Sequence, residues 1–184
     1  MEAVAEKLFT VEEYMALELG SELRHEFVDG LLIDMAGESK IANKIALNLA
    51  IALKIGLRGK PFDVFNHDVK VNTVPHRRYR YPDVMVASTA DAINTHIVFE
   101  PILLAELTSE ITIETDYHAK LHEYSSLLSV EYYLIVSQKE PVVELYRRNG
   151  AVWEFTFFDD LSDTIELPKL ALQLSLSDLY KGVF

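Results

Sequence analysis

Two short apolar runs, Tyr81-Pro82-Asp83-Val84-Met85-Val86-Ala87 and Ile102-Leu103-Leu104-Ala105-Glu106-Leu107-Thr108, each carry one carboxylate. Continuous apolar runs of this length read as strands covered on both faces, and they demand a sheet with layers on either side. An acid inside such a strand is costly to bury unless something neutralises it. The interval between Asp83 and Glu106 holds a strand, a connecting loop and a returning strand. Two acids so placed suggest one shared cation, with Asp83 alternatively a turn-initiating acid and Glu106 alternatively half of a structural ion pair. Pro82 forces Tyr81 to be extended and removes a backbone donor, so Asp83 is aimed out of a strand end.

The flanking pattern supplies the rest of the layers. Thr10-Val11-Glu12-Glu13 is a capping box that predicts a helix to about Leu19. Asp29-Gly30 between His25–Val28 and Leu31–Ile33 predicts a hairpin. Ser39 caps a helix whose apolar positions Ile41, Ile45, Leu49, Ala52 and Leu53 keep helical spacing to about Leu57. Phe62–Val71 reads as one strand, Asn72–Arg78 as a polar turn, and Tyr81–Ala87 and Ile97–Thr108 as the two carboxylate strands. Thr115 or Asp116 caps a helix with the stripe Leu121, Tyr124, Leu127 and Leu128, followed by a central strand over Glu131–Ser137. Pro141–Arg147, Ala151–Phe158 and Thr164–Leu167 read as a meander. The expected fold class is α/β (α+β): one domain over residues 1–184, a mixed central sheet flanked by helices, with an extra N-terminal hairpin and a C-terminal meander.

Composition narrows the function. No run reaches the ~18 apolar residues of a membrane span, the acidic start lacks a signal peptide's basic region, and there is no cysteine for a disulfide or thiolate site. The expectation is a cytoplasmic protein without a membrane partner. A net charge of −12 argues against a broad nucleic-acid coat. The basic residues are concentrated, however, in Lys70, His76, Arg77, Arg78 and Arg80, which form either a local phosphate-facing patch or a solvated loop. His118 and His122 have the spacing of a zinc pair, but Ala119 stands where HExxH has its glutamate. GxSxG, the P-loop and GxGxxG after a strand are all missing. Lys120 either bridges Asp116 one turn back or reaches toward the carboxylates. Tyr124 is expected to pack in the core. Glu26 is either solvated or a third member of an acidic cluster.

Pro82-Asp83, then Glu106-Leu107-Thr108, then Lys120 resembles the PD-(D/E)XK nuclease superfamily. More specifically, the chain resembles a large bacterial family of restriction-endonuclease-like proteins, formerly a domain of unknown function. The resemblance runs from about Phe9 to Tyr180 through Phe9–Tyr14, His25–Gly30, Tyr81–Val84, Leu104–Ser109, Asp116–Lys120, Tyr124 and Glu131–Val136. It implies a metal-dependent endonuclease that hydrolyses DNA phosphodiester bonds. Asp83, Glu106 and the Leu107 carbonyl would hold Mg²⁺ or Mn²⁺, Lys120 would assist catalysis, and Glu26 would be a supporting acid. It also implies a homodimer acting on DNA. Two positions depart from the pattern: Thr108 stands where the short motif has its lysine, and Ala42 where the family often has a histidine. The competing reading is a catalytically inactive nuclease-fold module with a binding or regulatory role.

Overall fold

The structure, a computed structural model, describes residues 7–35, 37–108 and 115–184, with the side chains of residues 115–118 outside that description. Local signals govern the first elements. The Thr10 capping box is formed on both sides and starts α1 (Val11–Gly20). β1 (His25–Val28) and β2 (Leu31–Asp34) pair through the Asp29-Gly30 turn, where φ is 52° and 98°. Ser39 accepts from the Ala42 N–H and opens α2 (Lys40–Gly56).

The middle of the chain departs from the expected strands. Phe62–Val71 is two strands, β3 (Phe62–Asn66) and β4 (Lys70–Val74), in different sheets. His67 and Asp68 lie between them with φ of 47° and 51°. Two consecutive left-handed residues turn the chain sharply, and His and Asp tolerate that region better than most. The apolar pattern Val64, Phe65, Val69, Val71 runs through the break and hides it. Asn72–Arg78 is not a surface turn. Asn72 and Thr73 are buried in β4, and β5 (Arg78–Arg80) returns beside it. The Asn72 amide donates to the Val74 and Arg78 carbonyls at 3.0 and 2.9 Å, so its burial leaves the amide bonded. The second carboxylate strand is likewise split into β7 (Ile97–Val98) and β8 (Pro101–Thr108).

A six-stranded sheet forms the frame, in the order β11-β10-β9-β8-β6-β3. Here β6 is Val84–Ser88, β9 Tyr132–Ser137, β10 Val143–Asn149 and β11 Val152–Phe158. All its pairs are antiparallel except β8–β9, which α3 (Thr115–Ser126) joins as a crossover. One face packs Val84, Leu103, Ala105 and Leu134 against Ile45, Leu49 and Leu53 of α2. The same core takes in the two-stranded sheet of β12 (Thr164–Leu167) and β13 (Leu172–Ser175), and the final α4 (Leu176–Leu179). The other face packs Met85, Leu104, Tyr133 and Ile135 under Tyr124 of α3. A five-stranded sheet, β2-β1-β5-β4-β7, stands beside α3 on that side. The N-terminal hairpin is therefore the edge of a second sheet and not a detached appendage. The mixed sheet flanked by helices is present as expected. Leu128 is not part of the α3 stripe, being 89 % exposed, and its inward side instead includes Glu123.

Candidate active site

Alternation along the strands decides where the two acids point. Val84 pairs with Ala105, so Asp83, one residue earlier, stands beside Glu106. Met85 and Leu104, two residues away on each strand, face α3, and period-two geometry puts Asp83 and Glu106 on that same face. Side chains opposite one another on antiparallel strands have Cβ atoms about 4.5–5.5 Å apart. The Leu107 N–H donates to Asp83 Oδ2 at 2.6 Å, which fixes the carboxylate across the strand gap. Gln138 Nε2 donates to the Leu107 carbonyl at 3.3 Å.

The crossover helix lies over this corner. Lys120, Glu123 and Tyr124 recur at helical spacing on its inward side, and Leu127 follows just past its end. The Tyr124 hydroxyl donates to Glu106 Oε1 at 2.7 Å, so this tyrosine both packs and holds the acid. Lys120 Nζ lies 3.4 Å from Glu106 Oε1 and 3.3 Å from Glu26 Oε1. The side chains of Asp116 and His118, invoked for the alternative bridge and the zinc pair, fall outside the described residues. Glu26 is buried on β1 and accepts from Arg80 Nη1 at 2.6 Å.

Burial, with a neighbouring acid at each, sets the protonation of the pair. Burial pushes the Asp83 carboxyl up to about 6, against the lowering effect of the Leu107 N–H. Burial pushes Glu106 up to about 8, with nearby Asp83 adding to the rise and Lys120 opposing it. Burial also acts to raise Glu26, but Lys120 and Arg80 outweigh it and hold that carboxyl below its ordinary range. Two adjacent acids that resist losing their protons are what a cation would stabilise. Glu26, Asp83, Glu106 and Lys120 line one cavity of about 480 Å³, whose wall also includes Ala42 and Gln138. With carboxylate and carbonyl oxygens as donors, the set fits a hard divalent ion.

Of the basic residues before Asp83, His76 and Arg77 lie in an exposed turn, whereas Lys70, Arg78 and Arg80 are built into the fold. Lys70 is buried and donates to the Tyr81 hydroxyl at 3.2 Å. Arg80 reaches Glu26 and Glu123, Arg78 reaches Asp29 and Glu123, and Arg77 reaches Asp29. His76 is exposed in the turn. Three residues beyond the sequence reading join the site region. Glu123 ties α3 to β5 through the two arginines, and Thr73 donates to it as well. Glu38 and His67 converge on Asp83 in a group whose ligand atoms lie within 4.8 Å of one another. Neither carries a sequence signal: His67 lies in the left-handed break after β3, and Glu38 only precedes a cap.

Among the described residues no helix is long and apolar enough to cross a membrane. In overall shape the chain is similar to a solved structure described as "a putative nuclease belonging to DUF820" from Anabaena variabilis. The TM-score is 0.77 at 18 % identity, covering 96 % of this chain and 99 % of that one. That likeness shows the nuclease-type fold. By sequence the chain is 28 % identical over 173 residues to the uncharacterized protein slr1290 of Synechocystis sp., covering 94 % of this chain and 91 % of the relative. It is 28 % identical over 147 residues to a second uncharacterized Synechocystis protein, sll1609, covering 78 % and 83 %. A family model matches residues 11–178, from the first capped helix to the last, and spans every element that builds the cavity. The chain belongs to that family, Uma2, described as "Putative restriction endonuclease".

Proposed function

We propose that the protein is a metal-dependent endonuclease that hydrolyses DNA phosphodiester bonds. One observation carries the reading: two carboxylates share a sheet face on adjacent strands, with an ammonium 3.4 Å from one of them, in a single cavity. Asp83, Glu106 and the Leu107 carbonyl are the residues that would hold Mg²⁺ or Mn²⁺. Such an ion, when bound, supplies Lewis-acid polarisation of a phosphoryl oxygen and lowers the pKa of water. Lys120, anchored by Glu26 and Glu106, orients the attacking water and offsets charge developing at phosphorus. Tyr124 keeps Glu106 in place by its hydroxyl. Arg80 keeps Glu26 from turning away from Lys120. A homodimer with one site per DNA strand belongs to the same reading, and sedimentation of the chain with and without a duplex tests it.

A second reading, a nuclease-fold module that binds without cutting, draws on the pairing of Arg77 and Arg78 with Asp29 and of Arg80 with Glu26, which leaves that segment's charge already engaged. Conversion of supercoiled plasmid in Mn²⁺ separates the two. Cleavage by the wild-type chain that disappears in Asp83→Asn and Glu106→Gln supports the nuclease. Thermal stabilisation by Mn²⁺ without cleavage supports the module. Absence of both cleavage and stabilisation overturns the metal reading altogether.

A further inference from the structure

The row of side chains at the end of the large sheet runs one strand further than hydrolysis by the Asp83–Glu106 pair requires. β3, β6 and β8 are neighbours. Asn66 stands opposite Val84, and Val84 opposite Ala105. One step on, His67, Asp83 and Glu106 fall in a single row across three strands. The His67 N–H donates to the Asp83 carbonyl at 3.1 Å, which continues the ladder through that step. The side chains follow: His67 Nδ1 is 3.9 Å from Asp83 Oδ1 and 3.1 Å from Glu38 Oε1. Glu38 comes from the approach to α2, so a fourth element reaches the row. The two oxygens of Asp83 face different ways, Oδ2 toward the Leu107 N–H and Oδ1 toward His67.

We propose that Glu38, His67 and Asp83 form a second divalent-cation site, with Asp83 shared between it and the Asp83–Glu106 pair. The proposal rests on Asp83 being a cation ligand and extends that reading to a second ion of different preference. The ligand atoms already lie within 4.8 Å of one another. An ion about 2.1 Å from each donor needs them no more than about 4.2 Å apart, a closing that side-chain rotation provides. The chemistry of the donors sets the selectivity. Imidazole suits Zn²⁺ and its transition-metal neighbours; Mn²⁺, the weakest binder of that series, favours oxygen but accepts a nitrogen more readily than Mg²⁺, which gives up its water reluctantly. The all-oxygen pair therefore accepts Mg²⁺ or Mn²⁺, and the His67 site takes Mn²⁺ or Zn²⁺ in preference to Mg²⁺.

The test is calorimetric titration of the metal-free full chain with MnCl₂ and with MgCl₂, joined to imidazole NMR during Mn²⁺ addition. The wild type should take two equivalents of Mn²⁺ and one of Mg²⁺. His67→Ala should take one of each. Glu38→Gln, which leaves the left-handed backbone at His67 untouched, should lose the same Mn²⁺ equivalent. Substoichiometric Mn²⁺ should broaden the His67 ring signal, and should still do so in Glu106→Gln. An unchanged Mn²⁺ stoichiometry in both His67→Ala and Glu38→Gln, with a His67 signal that stays sharp in Glu106→Gln, would make the His67–Glu38 contact an ion pair only and overturn the second site. If the single equivalent found is lost in Glu106→Gln and kept in His67→Ala, the second site falls and the nuclease metal reading stands. The reverse pattern overturns the Asp83–Glu106 reading and leaves the His67 site in place.

Discussion

Lys120 stands between two acids, 3.3 Å from Glu26 and 3.4 Å from Glu106, with its side chain only 12 % exposed. An ammonium so enclosed is unlike the surface bridge to Asp116 that spacing alone allows. Lys120→Ala should therefore cost about 1–3 kcal/mol in urea unfolding at pH 8, because two buried carboxylates lose a cation. It should cost less at pH 5.5, where Glu106 carries a proton. In the nuclease reading the same variant loses roughly 10²-fold or more of Mn²⁺-dependent cleavage. Glu106 itself links folding to pH. It is pushed up to about 8 and Asp83 to about 6 in the folded chain, against about 4 unfolded. The folded metal-free protein then holds more protons than the unfolded one, so these groups favour folding most at low pH and progressively less from about pH 4 to 8. Glu26, held low, works the other way: its contribution is present above the unfolded carboxylate range and is lost as pH falls through its folded value. Stability of the metal-free chain should decline between about pH 5 and 8, and Glu106→Gln should flatten the upper part of that decline. A midpoint that climbs through the interval would refute the assignment.

At the scale of elements, α3 is held to β5 by charge as well as by packing. Arg80 is 3 % exposed and bonds both Glu26 and Glu123. Arg80→Met keeps much of the volume but strands two buried acids, and should lower stability by about 3–5 kcal/mol, read from the denaturant midpoint. A loss below about 1 kcal/mol would show that solvent reaches these groups. The helix also shows which elements can be read from sequence. The Thr10 box, the Asp29-Gly30 turn and the Ser39 cap each act within a few residues, so their elements lie where the residues place them. Asp83 and Glu106 were recognisable because an acid in an apolar strand is anomalous without any knowledge of neighbours. Glu123 was not, since its burial depends on Arg78 and Arg80 arriving from a sheet that local patterns do not reveal. The same limit hid the break at His67-Asp68 and the end of α3 at Ser126, which leaves Leu128 in an exposed turn past the helix. Glu38 joins the cavity only through the approach of the α2 entry to β3, a contact with no local signature.

For the whole molecule, a net charge of −12 opposes contact with a polyanion. In the nuclease reading a divalent ion must provide the local positive charge. DNA association measured by fluorescence anisotropy should be negligible in EDTA, appear with Mn²⁺ in a Glu106-intact chain, and weaken steeply with added salt. Tight binding in EDTA would point to cationic groups elsewhere. The crossover β8-α3-β9 described above also bears on how the chain is made. β8 and β9 pair in parallel, so they cannot meet until the intervening helix has been synthesised and folded back. Pairings of that kind close late, because the loop entropy is lost before the contacts form. A ribosome that has released the chain as far as Thr108 has already delivered both carboxylates, but Lys120, Tyr124 and the flanking strand are still to come. The acids thus exist as a lone pair through much of synthesis, and the cavity acquires its ammonium only when the last parallel pairing zips shut. In the nuclease reading, a protein built in this order completes its hydrolytic centre only after β9 has been made, not when the two acids first appear.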